Sequence, residues 1–145
     1  MTQLAQCRPP TLAADLRVSV MRLARRLRQQ LSDGDVSTGQ YSVLAALVTH
    51  GPRTPRELAD LERVQPPSMT RTIAGLVEAG LVARTDHPDD GRQVLVSVSE
   101  AGAKVVHETR KRRTAWLSQR LAELTPQERA TLAEASVIIQ RLADS

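Results

Sequence analysis

Aromatic residues are nearly missing from this 145-residue chain: there is no Phe, one Trp and one Tyr. A core must then be built from aliphatic side chains, chiefly Leu, Val and Ala, which favours packed helices. Cysteine is as scarce. Cys7 stands alone, which excludes an intrachain disulfide and a Cys-based metal site. No apolar run approaches the ~18 residues of a membrane span, and "MTQLAQCRPP" lacks the apolar stretch of a secretory leader. The expectation is a soluble, cytoplasmic protein. Lysine is also rare, since Lys104 and Lys111 are the only lysines among twenty basic residues. A GC-rich coding bias accounts for much of that. Even so, Arg bonds phosphates and guanine edges bidentately, as Lys does not.

What is present points to one compact domain or two small lobes. Hydrophobic residues make up 41%, too many for a disordered chain. The net charge of +4 permits a polyanionic partner and says nothing about fold. After "CRPP", which breaks structure, Leu12, Leu16, Val20, Leu23, Leu27 and Leu31 recur at helical spacing, and "SDGD" ends that first helix. Three later helices open with capping boxes: Ser37 with Gln40, Thr54 with Glu57, and Thr125 with Glu128. Pro66-Pro67 start another helix and Gly80 stops it. Then the period changes. "LVART" and "QVLVSV" flank the turn-rich "DHPDDGR", which predicts a hairpin with a long tip. A long helix and the capped one at Thr125 follow. The fold class is therefore mainly α with a small β-hairpin wing. Residues 37–99 form one lobe, and residues 1–36 and 100–145 a helical dimerisation region. The leucine stripes of the outer helices, including Leu132, Ala135, Ile139 and Leu142, exceed what the small lobe can cover, so a partner chain is expected to bury them.

"TPRELADLE", a tight turn and "PPSMTRTIAGLVEAG" make a helix-turn-helix. On the second helix Met69, Ile73, Leu76 and Val77 gather on one side. Pro67, Ser68, Arg71, Ala74, Gly75 and Glu78 take the other, small or polar around a central arginine. That profile suits close approach to a major groove, with Arg71 reaching guanine or phosphate and Ser68 and Thr72 reaching phosphates or bases. A hairpin directly after it makes a winged helix, whose tip can place an arginine in the adjacent minor groove. Three carboxylates crowd that tip: Asp86, Asp89 and Asp90. A calcium loop fails by position, because Pro88 sits third and Ser97 twelfth counted from Asp86. His50, His87 and His107 are scattered, so no zinc spacing exists. If the second strand already runs at Asp90, then Asp90 and Arg92 share a face and the acid steadies the guanidinium, with Gly91 turning the chain.

The chain resembles the MarR family of bacterial transcription regulators. The resemblance rests on the helix order and on "SMTRTIAGLVEAGLVAR" followed by "DHPDDGRQVLVSVSEAG": a leucine-x-x-x-Gly-leucine-hydrophobic-x-Arg run over Leu76 to Arg84, then Asp90, Arg92 and a Ser99-x-x-Gly102 helix start. It implies a homodimer whose first, fifth and sixth helices interlock. It also implies two winged lobes reading a pseudo-palindrome in double-stranded DNA, and repression relieved by a small, often anionic aromatic effector near the junction of the lobes. The DNA contacts expected are Thr54, Pro67, Ser68, Thr70, Arg71, Thr72, Arg84, Asp90 and Arg92. Met21, Tyr41, His107 and Trp116 are the candidates for the effector site. No catalytic residue, cofactor or metal is expected, because no nucleophile–base pair or cofactor loop is visible. A redox role for Cys7, known among relatives of this type, is disfavoured by its place before the first helix. The competing reading is a winged-helix protein-interaction module that does not bind DNA. Charge does not decide between them: residues 53–92 carry six arginines against seven carboxylates, and the basic surplus lies in the long helices.

Overall fold

A computed structural model describes residues 5–31 and 36–145. Helix α1 spans Pro9–Arg28, α2 Thr38–His50, α3 Pro55–Glu62 and α4 Pro66–Glu78. Strands β1 (Val82–Asp86) and β2 (Val94–Val98) follow, then α5 (Glu100–Ala122) and α6 (Pro126–Ala143). This is the order the periodicities predict. The first helix ends at Arg28, capped by Gln29, so Leu31 lies past it rather than on its stripe; "SDGD" itself lies outside the described residues. Cys7 and Arg8 of "CRPP" break the chain before that helix, as expected, but the two prolines begin it. Pro9 and Pro10 occupy its first turn behind Arg8, where a missing N–H costs nothing.

The caps at Ser37 and Thr125 are full reciprocal boxes. The Thr54 cap is only half of one. Its hydroxyl accepts from the Glu57 N–H at 3.2 Å, but the Glu57 carboxylate takes the Thr54 hydroxyl proton at 3.1 Å instead of reaching the cap's backbone.

Buried aliphatic side chains form one core. α2 supplies Tyr41, Val43, Leu44 and Leu47; α3 supplies Leu58 and Ala59; α4 supplies Met69, Ile73 and Leu76. Leu81, Val82 and Val96 close it from the hairpin and Val106 from α5. The strands pair antiparallel, Val82 opposite Val98 and Asp86 opposite Val94. A third segment joins them. Arg53 N–H donates to Val96 O at 3.0 Å, and Val96 N–H donates to Arg53 O at 2.8 Å. That bridge pins the hairpin to the entrance of α3. Packing also runs past residue 99, because Gly102, Val106 and Thr109 of α5 are buried against this lobe. α1 and α6, by contrast, bury no residue.

Candidate nucleic-acid interface

The two helices of the helix-turn-helix meet through an unusual cap. Arg63, just past α3, has φ 51° and ψ 45°, the left-handed region normally given to glycine. It is held there by Val64 N–H donating to Ala59 O at 3.0 Å and Arg63 N–H to Asp60 O at 3.3 Å. The turn passes through Gln65 into Pro66-Pro67. α4 then buries Met69, Ile73 and Leu76 and leaves Pro67, Ser68, Thr70, Arg71, Ala74 and Glu78 exposed. Gly75 does not belong to that outer face. A Cβ there would meet the Gln40 amide at 2.9 Å, so its smallness serves the α2–α4 contact.

The exposed polar groups of α4 are unequal. Thr70 and Thr72 donate their hydroxyl protons to the carbonyls of Pro66 and Ser68, each at 3.0 Å, which leaves their oxygens as acceptors that phosphates do not want. Thr54 is 6% exposed and its hydroxyl is engaged in the α3 cap. Arg71 is exposed, and its side chain has no hydrogen bond or ion pair among the described residues. The same holds for the side chains of Arg84 and Arg92. The ion pairs found among those residues are Arg53–Glu57 and Lys104–Glu108.

The wing tip departs from the sequence reading in two ways. β2 begins at Val94, so Asp90 and Arg92 are not strand neighbours. Asp90 does not grip the guanidinium either. Its Oδ1 accepts the Arg92 backbone N–H at 3.0 Å, a local turn of the kind Asp side chains form with N–H groups two residues on. Gly91 does stand in the turn, without a left-handed conformation: among the described residues only Gly51 and Gly80 are glycines at positive φ. The residue overlooked is His87, whose Nδ1 accepts the N–H groups of Asp89 at 3.1 Å and Asp90 at 3.2 Å. "HPDD" carries the signal, since an acceptor side chain just before Pro in a polar run is the way Asn and Asp start turns.

The base of the wing explains "SEAG". Gly80 ends α4 at φ 73°, with Gly80 N–H donating to Val77 O and Leu81 N–H to Leu76 O. Ser99 then ties α5 to this point. Its hydroxyl donates to Gly80 O at 2.7 Å and accepts from Gly102 N–H at 3.1 Å, while its own N–H donates to Leu81 O at 2.9 Å. Gly102 lies against Leu81 O and Val98 so closely that no Cβ fits. Serine and glycine three apart thus lock α4, wing and α5 into one unit.

The residues expected at an effector site lie on three helices, α1, α2 and α5. Met21 is exposed on α1 and His107 on α5. Tyr41 is buried, with the Arg113 guanidinium 4.4 Å from its ring centroid. Trp116 is flanked by Arg120 at 4.0 Å and Arg26 at 5.5 Å. Thr109 Oγ1 and Arg113 Nε, one turn apart on α5, are buried without a hydrogen-bond partner among the described residues. Among the described residues no group of three or more His, Cys, Asp or Glu side chains is placed to hold a metal. Nor is any described helix long and apolar enough to cross a membrane.

A helix-turn-helix whose second helix turns a free arginine outward, followed at once by an antiparallel ribbon, is a winged helix-turn-helix. The comparisons with known proteins place it further. The MarR family model matches residues 36–94. The chain is 50% identical over 133 residues to an HTH-type transcriptional regulator of Mycobacterium bovis, covering 92% of this chain and 93% of that protein. It is 34% identical over 109 residues to the multiple antibiotic resistance protein MarR of Salmonella typhimurium, covering 74% and 76%. A crystal structure of a transcriptional regulator from Pseudomonas aeruginosa superposes with a TM-score of 0.83 at 35% identity, covering 93% of this chain and 95% of that one. The chain belongs to the MarR family of transcriptional regulators.

Proposed function

We propose that this regulator acts as a homodimeric repressor: α4 of each copy enters a major groove of a pseudo-palindromic operator, and each wing tip lies in the flanking minor groove. The observation that carries the reading is the free, outward Arg71 at the centre of a low-profile helix face, with uncommitted Arg84 and Arg92 on the wing beside it. Ser68 and Pro67 flank Arg71. Thr70 and Thr72 join them as weaker contacts because their protons are spent, and Thr54 and Asp90 act by holding backbone. Burial supports the dimer. α1 and α6 expose Leu12, Val20, Leu23, Val137, Ile138 and Leu142, the last at 60%, and a second copy is the economical cover for two such faces.

Effector response belongs to the same reading. Arg113, whose guanidinium lies over the Tyr41 ring and whose Nε is buried unpaired, and Thr109 one turn before it on α5, whose Oγ1 is likewise buried unpaired, suit an anionic aromatic molecule. Such a molecule would relieve repression by binding one lobe spacing better than the other.

The test is a titration of DNA from the region flanking the gene. Arg71→Ala is expected to weaken specific binding by about 1–3 kcal/mol and relax base preference. Arg92→Ala weakens it chiefly where the flanks are A·T-rich, and raised salt weakens all forms. Wild-type affinity in both variants overturns the contacts, and salt-insensitive binding to a protein with no footprint on DNA overturns the reading.

A further inference from the structure

We propose that His87 is a positioning residue of the wing: its neutral ring folds the tip that presents Arg92, and protonation releases that tip, so that DNA binding through the wing is proton-sensitive. The inference rests on the wing being a DNA contact, as proposed above.

The tip is held by few groups. Between Pro88 and Gln93, the N–H groups of Asp89 and Asp90 donate to His87 Nδ1 and that of Arg92 to Asp90 Oδ1. Below them His87 N–H donates to Gln93 O at 3.1 Å, and Gln93 N–H donates to Asp90 O at 3.0 Å. Gly91 adds no left-handed turn, and strand pairing ends at Asp86 and Val94. The histidine lone pair is therefore the organising acceptor of the tip.

An imidazole nitrogen that accepts two N–H groups carries no proton, so the proton of neutral His87 sits on Nε2. A second proton turns Nδ1 into a donor facing two donors. Both bonds are lost, and Asp90 leaves the geometry in which its carboxylate holds Arg92. Histidine is the side chain whose charge ordinarily changes between about pH 5 and 8. Its own segment carries the charged groups Asp86, Asp89, Asp90 and Arg92. Across the cleft beyond Gln93 and Val94, α3 contributes Arg56 and Glu57, one of each sign. An added positive charge alone would strengthen DNA binding, whereas loss of the turn weakens it, so the two effects have opposite signs.

The experiment compares wild type, His87→Asn and His87→Ala on a labelled duplex from the DNA flanking the gene, from about pH 8 down to about pH 5.5. Asn offers Oδ1 from the same Cγ position and does not titrate. At the upper pH, wild type and His87→Asn should bind alike, and His87→Ala should bind more weakly by roughly tenfold, the scale of two lost hydrogen bonds. On acidification wild type should fall to the level of His87→Ala while His87→Asn stays above both. Affinity that rises with acid, an alanine variant equal to wild type, or an asparagine variant that follows the wild-type profile each overturns the proposal. Nitrogen NMR of the imidazole in the free protein judges the joint without DNA. The Nε2-protonated tautomer is expected at the upper pH, and an Nδ1-protonated ring overturns it. If no variant binds the duplex at any pH, the DNA reading falls while the tautomer still decides the turn.

Discussion

In the lobe from α2 to the first turns of α5, aliphatic side chains meet one another: Leu44, Leu58, Leu76 and Val96 are all 0% exposed. In α1 and α6 the same residue types at similar spacing lie open, with Met21 at 58% and Val137 at 60%. The lobe has six elements, counting each strand, around one centre and closes on itself. A lone amphipathic helix has nothing to close against, and most of a helix's stability in a protein comes from packing of its apolar face. The lobe should therefore answer to intrachain mutations at any concentration. The long helices should answer to association, so that their stability follows protein concentration.

The largest effect should come from Gly102→Ala. Its Cβ would meet the backbone oxygen of Leu81 and the Val98 methyl, and backbone cannot swing aside as a flexible side chain can. A loss of about 2–4 kcal/mol is expected in urea unfolding. Gly39→Ala, where a Cβ meets nothing within 4 Å in the first turn of α2, should be neutral or slightly stabilising. Equal midpoints for the two variants would remove the claim that Ser99 and Gly102 lock the lobe.

Next in size is Ile138→Glu with Leu142→Glu, at positions 49% and 60% exposed. If α6 stood in water these changes would be harmless. Buried against a second copy, they should raise the dimer dissociation constant at least a hundredfold, about 2.7 kcal/mol. Sedimentation at micromolar protein should then show monomer, with DNA binding weakened because the two half-sites are no longer engaged together. Sedimentation unchanged from wild type would break the contrast between the two regions.

The contrast also sorts what the sequence disclosed. Element order, α4's inner face and the Ser37 and Thr125 caps follow from spacing and local chemistry, which act over a few residues and can be read in one dimension. The Arg53–Val96 bridge joins residues 43 apart, and nothing local marks it. Gly75 reads as a groove-facing residue on a helical wheel, yet Gln40 from another helix stands over it. Asp90 and Arg92 share a face only if the strand starts early; it starts at Val94, and the acid binds the Arg92 backbone instead of its side chain. Among effector candidates, Tyr41 has one arginine neighbour and Trp116 two, but only packing reveals that Thr109 and Arg113 carry the unpaired atoms.

The smallest predicted effect lies in the turn between α3 and α4. Gly80 and Arg63 close their helices with the same pair of bonds and at positive φ, Arg63 directly after the last helical residue and Gly80 one residue further on. Glycine announces the first cap; nothing announces the second. An L-residue in that conformation costs about 1–2 kcal/mol, offset in part by the larger unfolded-state entropy of glycine. Arg63→Gly should therefore stabilise the lobe by up to about 1 kcal/mol and raise the melting midpoint by about 2–4 °C. Arg63→Ala keeps the strained conformation and should gain nothing, which separates backbone relief from loss of charge. If both variants lose DNA affinity by the same factor while only the glycine form gains stability, Arg63 contacts the phosphate backbone. If only the glycine form loses affinity, the stiffness of the turn is what aims α4. A glycine form no more stable than the alanine form would mean that the left-handed cap costs this chain nothing.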